Sequence, residues 1–325
     1  MNKDQSFTAA DTLPAKLLQN AALMQQVRDG RIPPVHPQLI VTNRCNLKCG
    51  FCSCANRDKG EELPYFAVVK TLNNLAHLGA QAVTITGGGE PMLHPRINEI
   101  IQHAAACGLK VGLVTNGVAL SRLEPDAARC ITWLRVSASD EADNLHHWRT
   151  LPALFPMIDW AISYVVTAAL DPRNIAAHVA FANECGMTHV RLVADLIDLA
   201  GVQGCMDRIR ASLATAGVQD ARVIYQARQG HEPGARRCWI SLLKPVIGAD
   251  GRVYPCCGVQ YAQSSMALDL PANMSMGGID ALRSIWTTDT PPVPFNGAQC
   301  VRCYYGGYNA VMEAAQGTGQ HAEFV

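Results

Sequence analysis

Short β-branched runs alternate with longer amphipathic ones over the first two thirds of this chain. No other feature limits the fold as strongly. Gln38–Thr42, Ala82–Thr86, Lys110–Thr115, Thr132–Ser137, Trp160–Thr167 and His189–Val193 read as strands. Helices are predicted between them near Tyr65–Leu78, Ile97–Cys107, Glu124–Arg129, His146–Phe155 and Asn174–Cys185, with another near Gly204–Ala216. Several stop at a glycine, as at Cys107-Gly108 and Cys185-Gly186, where positive φ closes the last turn. Strands separated by helices pair in parallel through right-handed crossovers. Six such units predict an α/β fold whose sheet either closes partly, as a (βα)6 barrel, or stays open and doubly wound. The pattern itself leaves both available.

In either sheet, chemistry gathers at the C-terminal ends of the strands. The run Cys45-Asn46-Leu47-Lys48-Cys49-Gly50-Phe51-Cys52 follows the first strand, and Thr86-Gly87-Gly88-Gly89-Glu90-Pro91 the second. Thr115-Asn116-Gly117 follows the third, and Ser137-Ala138-Ser139-Asp140 the fourth. The spacing C-x3-C-x2-C gives three thiolates, enough to hold three irons of a [4Fe-4S] cube and leave the fourth open. Ordinary clusters take four cysteines, so a three-cysteine loop points to chemistry at the open iron. Structural zinc wants four ligands, and Cys54 stands too close to Cys52 to complete a tetrahedron with ease.

The chain has 325 residues, thirteen cysteines, zero net charge and no apolar run long enough to span a membrane. Its first residues lack an apolar signal core, and a cytoplasmic location is expected. There, disulfides are disfavoured. Cys107, Cys130, Cys185 and Cys205, which stand singly, read as small buried hydrophobes. Neutral charge argues against direct binding of duplex nucleic acid.

The cysteine run resembles the signature of the radical S-adenosylmethionine (SAM) superfamily. The resemblance implies the partial barrel, a [4Fe-4S] cluster on Cys45, Cys49 and Cys52, and SAM chelating the open iron. Gly88, Gly89 and Glu90 match the family's GGE motif, which contacts the SAM methionine amine. Phe51 stands where the family packs an aromatic on the adenine. Ser137 matches a strand-four polar residue that contacts the SAM sugar or carboxylate, Asn116 stands at the strand-three position, and Leu196, just after strand six, matches an apolar adenine contact. No Gly-x-Ile-x-Gly-x-x-Glu segment follows the fifth strand.

After about residue 225 the rhythm stops. Gln229–Gly234 reads as a linker, and Lys244–Gly248 with Arg252–Pro255 as a hairpin around Asp250-Gly251. Cys238 and Cys256 bracket that hairpin as C-x12-G-x4-C, with Gly251 as the glycine, and Cys300-Val301-Arg302-Cys303 follows. This resembles the Twitch domain, a shortened relative of the SPASM domain. It implies a second, auxiliary [4Fe-4S] cluster on Cys238, Cys256, Cys300 and Cys303, with Cys257 as the alternative to Cys256. A zinc ribbon on four cysteines is the competing reading. The expected division is a helical extension over 1–37, with a helix near Pro14–Val27, a radical SAM core over 38–228 and a Twitch-like part over 229–325.

The resemblance implies reductive cleavage of SAM to a 5′-deoxyadenosyl radical, which abstracts a substrate hydrogen. A reductant such as flavodoxin or ferredoxin is implied as electron donor. The cysteine spacing is most similar to Twitch enzymes that dehydrogenate small polar substrates. Rearrangement of a modified nucleoside or amino-acid adduct, peptide modification, and a zinc-stabilised binding module are the alternatives. Arg135, Arg191 and Asp195, near strand ends, suit either a substrate or structural ion pairs.

Overall fold

A computed structural model describes residues 16, 19–55, 57–138, 148–167, 171–195, 202–219, 221–226, 233–257, 274–286, 292–300, 303 and 305–316. In chain order the elements are α1 (Ala21–Arg28), β1 (Gln38–Ile40), α2 (Tyr65–His77), β2 (Ala82–Thr86), α3 (Ile97–Ala106), β3 (Lys110–Thr115), α4 (Pro125–Ala128) and β4 (Ile131–Ala138). Next come α5 (Leu151–Leu154), β5 (Asp159–Val166), α6 (Pro172–Glu184), β6 (His189–Ala194), α7 (Val202–Thr215) and β7 (Val223–Gln226). The remainder are α8 (Ile240–Leu243), β8 (Val246–Ile247), β9 (Arg252–Tyr254), β10 (Gly277–Gly278), α9 (Leu282–Trp286) and α10 (Gly306–Gln316).

Among the described residues ten strands join one sheet in the order β10-β9-β8-β1-β2-β3-β4-β5-β6-β7. The run from β1 to β7 is parallel throughout. This is the mixed α/β architecture of a partial TIM-like barrel. It continues one strand past the six expected: β7, whose short Val223-Ile224-Tyr225-Gln226 run carries little signal, lies parallel to β6. The Asp250-Gly251 hairpin forms, with Gly251 at φ 74°. Its first strand pairs in parallel with β1, so the hairpin extends the main sheet rather than standing apart. The helix expected from Pro14 is described over Ala21–Arg28, and α10 packs against it.

Alternation along the strands separates two faces. Leu39, Ile85, Leu113, Leu134, Val136, Ile162, Val190 and Leu192 are buried in the main apolar core, with Val68, Leu72 and Leu75 of α2, Ile100 and Ile101 of α3, and Val179 of α6. The opposite, concave face carries Thr84, Gly112, Trp133, Arg135, Ser137, Ser163 and Arg191. Gly112 matters there: a Cβ on it would fall 2.2 Å from the Trp133 ring, which covers it. Gly108 and Gly186 sit at positive φ after α3 and α6, as the sequence predicts.

Gly112→Ala should therefore force the Trp133 ring or the β3–β4 pair apart. We expect destabilisation of about 1–3 kcal/mol, read as a lower urea midpoint with an unchanged slope. An unchanged midpoint would show that the ring does not rest on Gly112.

Candidate active site

The three cysteines stand on the loop that leaves β1. Its return limb runs back beside its start: Thr42 bridges Glu62, the Asn43 N–H donates to the Glu61 carbonyl at 2.9 Å, and the Leu63 N–H to the Val41 carbonyl at 2.9 Å. The loop is thereby closed into a narrow neck. At its tip the Cys52 N–H donates to the Cys49 carbonyl at 3.1 Å and the Ala55 N–H to the Cys52 carbonyl at 3.0 Å. Cys45, Cys49, Phe51 and Cys52 are half-buried there, whereas Cys54 is buried.

Arg57 fastens this tip. Its Nε donates to the Asn43 carbonyl at 2.9 Å, and its Nη1 lies 3.4 Å from Cys52 Sγ and also bonds the Cys54 carbonyl. A hydrogen bond from Cys54, reinforced by the Arg57 guanidinium, pulls the Cys52 thiol down to about 5. Cys54 itself is pushed up, first by donating to Cys52 and then by burial. The loop thus offers thiolate chemistry at Cys52 and keeps Cys54 as a protonated, inward-facing thiol.

The glycine loop after β2 locks onto the cysteine loop. The Gly89 N–H donates to the Thr42 carbonyl at 3.1 Å and the Glu90 N–H to the Arg44 carbonyl at 2.7 Å. This approach excludes side chains. A Cβ on Gly88 would lie 2.1 Å from Asn43 Oδ1, and one on Gly89 2.0 Å from the Arg44 carbonyl. The glycines are required here because two backbones touch.

Glu90 ties in the third loop. Its carboxylate is buried and accepts from the Met92 N–H at 3.0 Å, the Thr115 hydroxyl at 2.6 Å and the Asn116 N–H at 2.6 Å. Burial outweighs those three donors, so its pKa lies above the ordinary carboxylate value. Asn116 in turn donates through Nδ2 to Asn46 Oδ1 at 2.7 Å, and that nitrogen lies 4.0 Å from Cys45 Sγ. Gly88, Gly89, Glu90 and Asn116 therefore gather around the cysteine loop. Ser137 is half-buried at the end of β4, on the same face as Arg135. Leu196 lies outside the described residues, as do His146 and His147.

The second cysteine group is assembled by close backbone packing. The Cys238 N–H donates to the Phe295 carbonyl at 2.9 Å, and the Gly234 N–H to the Cys300 carbonyl at 2.8 Å. A Cβ on Gly234 would lie 2.9 Å from the Cys300 Cβ, and one on Gly297 3.4 Å from the Cys238 Cβ. Burial, then the neighbouring Cys303 and Cys300, push Cys238 up to about 12. Burial and Cys303 push Cys300 up to about 11. The Tyr305 N–H reaches Cys303 Sγ at 3.3 Å, and its hydroxyl lies 3.7 Å from Cys257 Sγ. Cys256 is half-buried beside Cys257. Among the described residues, no three His, Cys, Asp or Glu side chains gather closely enough to hold a single metal ion.

The family match falls on the first cysteine loop and the glycine turn. Residues 39–132 match the Radical SAM superfamily. A probable GTP 3′,8-cyclase of Methanopyrus kandleri is 32% identical over 56% of this chain and 57% of its own length. A PqqA peptide cyclase of Methylocella silvestris is 28% identical over 57% of this chain and 55% of its own. The chain thus spans little more than half of either relative. Among solved structures, Streptococcus suis SuiB bound to the precursor peptide SuiA superposes with a TM-score of 0.60 at 17% identity, covering 86% of this chain and 72% of that one. That likeness extends the shared fold well beyond residue 132. Among the described residues no helix is long and apolar enough to cross a membrane.

Arg57, Asn43 and Thr115 escape sequence reasoning. A lone arginine in a polar loop carries no signal of the carbonyl it will reach. Thr115 is visible as strand-end punctuation, but not as a donor to Glu90.

Glu90 links the site to pH. Its folded pKa is raised, so the folded state holds the proton longer and stability falls as pH rises through the window just above the unfolded value of about 4.5. Glu90→Gln should flatten that limb of the stability profile. It should also cost about 1–3 kcal/mol at neutral pH, because an amide cannot accept from all three donors. Urea midpoints measured across pH 4–7 check both; an identical profile would mean that Glu90 does not titrate there.

Proposed function

We infer that this chain is a radical SAM enzyme in which Cys45, Cys49 and Cys52 hold a [4Fe-4S] cluster and leave one iron for SAM. One observation carries the reading. A three-thiol loop, with its neighbouring thiol Cys54 turned inward, is joined backbone to backbone to a glycine loop that no side chain could enter. The donor set fits the group: three soft thiols, one of them acidic, suit iron–sulfur ligation better than four-coordinate zinc. Bound there, the cluster supplies one electron for reductive cleavage of SAM, and the resulting 5′-deoxyadenosyl radical takes a hydrogen atom from substrate.

The chain's own residues position and shield that chemistry. Glu90 holds the β2 and β3 loops at a fixed separation. Asn116 steadies Asn46 within the cysteine loop, and Arg57 balances thiolate charge at Cys52. Phe51, Gly88, Gly89 and Ser137 frame the space for SAM, and Leu196 is assigned to the adenine side by family position. The concave face excludes water from the reacting C–H bond. Cys238, Cys300, Cys303 and either Cys256 or Cys257 would hold the auxiliary [4Fe-4S] cluster, which would supply a one-electron acceptor for the substrate radical as that radical releases a proton to solvent. This gives net oxidation, the dehydrogenase reading.

A second reading has its own support. Two matched relatives are named as cyclases, one acting on a peptide and one on GTP, and SuiB is seen with its precursor peptide. Ring closure in a peptide or nucleotide would use the same hydrogen abstraction. Rearrangement of a modified nucleoside is the redox-neutral counterpart.

Anaerobic reconstitution should give about eight irons per chain. Alanine at Cys45, Cys49 and Cys52 together should halve that and abolish 5′-deoxyadenosine formation with dithionite. Full SAM cleavage by that triple variant would overturn the assignment. Zinc that resists replacement by iron in the second group would remove the auxiliary cluster alone.

Product mass separates the reactions. Oxidation or oxidative ring closure lowers the substrate mass by two hydrogens, and rearrangement leaves it unchanged. Replacing Cys300 and Cys303 by Ala should retain some SAM cleavage and lose only the oxidised product. An oxidised product formed at the wild-type rate by that variant would deny the auxiliary group its electron-accepting role.

A further inference from the structure

The concave face holds cations deep in the molecule that the cysteine site does not use. Strand register sets their places. Arg135 on β4 is level with Ala161 and His189, and one step nearer the C-terminal edge Ser137 is level with Ser163 and Arg191. These residues share one face. Lys244 approaches from the opposite end, two residues before β8. Burial brings Arg135 down to about 10. Burial, against an opposing pull from Cys257 and reinforced by Arg191 and Arg135, brings Lys244 to about 8. His189 is held neutral, at about 3, by burial and then by the same two arginines. His36, bonded to the Thr84 hydroxyl at 2.7 Å, is likewise at about 3 through burial and then Lys244.

Among the described residues, neither Arg135 nor Lys244 is paired with a carboxylate, and the Cys257 thiol is the group of opposite charge that acts on Lys244. The ion pairs seen lie on exposed or half-exposed side chains elsewhere, and none includes either residue. Arg135 Nε is buried with no hydrogen-bond partner. Its guanidinium carbon lies 5.0 Å from the centroid of the Trp133 ring, the ring that Gly112 makes room for. Arg191 donates to Ser163 Oγ at 3.4 Å. Asp195, four residues further along the chain, is a buried carboxylate just past the end of β6, and its N–H donates to the Val166 carbonyl at 3.1 Å. Arg135, Arg191 and Lys244 are each half-buried, and cations withdrawn that far from water are unfavourable without a counter-charge. A fold that keeps them in a site is built to receive an opposite charge.

We propose that Arg135 and Lys244, with Arg191 and Ser163 beside them, bind an oxyanion group of the substrate, a carboxylate or a phosphate. This rests on the radical SAM reading above and names the chemical class that reading leaves open. Arginine presents a planar fork to such a group, and lysine a point charge. Depth supports a substrate rather than SAM. Arg135 lies two residues below Ser137 on β4, roughly 7 Å further from the cysteine loop. A molecule anchored there extends its uncharged part toward the loop, where the hydrogen is taken.

Equilibrium dialysis of the reconstituted full chain tests this with labelled inorganic phosphate, succinate and SAM at constant ionic strength set by NaCl. Saturable binding of phosphate or succinate is expected, about one per chain. It should weaken about tenfold or more in Arg135→Gln and in Lys244→Gln and recover in part in Arg135→Lys. SAM affinity should move less than about twofold. Preference for phosphate or for succinate identifies which oxyanion the substrate carries. Binding of neither above the NaCl background would overturn the proposal. So would a loss of SAM affinity in Arg135→Gln equal to the loss of oxyanion, since the cations would then serve the carboxylate of SAM. Circular dichroism and cluster absorbance establish folding of each variant. If Arg135→Gln does not fold, Lys244→Gln decides on the same criteria. Oxyanion binding by a wild-type protein that makes no 5′-deoxyadenosine would instead defeat the radical SAM reading and leave the anion site standing.

Discussion

The buried Glu90 carboxylate is the joint on which the site depends. It takes the N–H of Met92, the hydroxyl of Thr115 and the N–H of Asn116, and so fixes the ends of β2 and β3 to each other. The N–H groups of Gly89 and Glu90 fix the same turn to the carbonyls of Thr42 and Arg44 at the end of β1. Three successive strand ends are held by one side chain and two backbone bonds. A buried carboxylate is costly unless its lone pairs are filled, and here the surrounding donors come from the very loops that must be aligned. Misplacing any one of them leaves a buried charge unsatisfied, which makes the arrangement specific as well as stable.

This joint explains why the cysteine loop can be small and polar yet ordered. Its neck is closed by pairing of 41–43 with 61–63, and its tip is held by Arg57 to the Asn43 and Cys54 carbonyls. The match of residues 39–132 to the Radical SAM superfamily and the fold shared with SuiB then have a local physical basis: three thiols held at the mouth of a concave sheet. The second cysteine group closes the other part of the molecule. Cys238 and Cys300 approach each other across Gly234 and Gly297, where a Cβ would collide with backbone. Between the two groups the sheet offers its polar face, with Trp133, Arg135, Ser163 and Arg191, where the other face is mostly apolar.

The sequence by itself determined the strands, because β-branched runs between amphipathic helices leave few alternatives. It also set the cysteine spacing, the glycine turn and the hairpin at Asp250-Gly251, since these are local patterns with local causes. Tertiary structure alone decided the rest. β7 is too short to announce itself and exists because β6 offers it an open edge. The hairpin joins β1 because β1 has a free side that a parallel strand can fill. Glu90 reads as a ligand contact by motif, yet its carboxylate turns inward to its own chain; only the arrival of Thr115 and Asn116, twenty-five and more residues away, reveals that task. Arg135 and Lys244, far apart in sequence, become one cationic cluster only when β4 and the segment before β8 face the same interior. Charge proximity of that kind depends on register and closure, which no single stretch of the chain encodes.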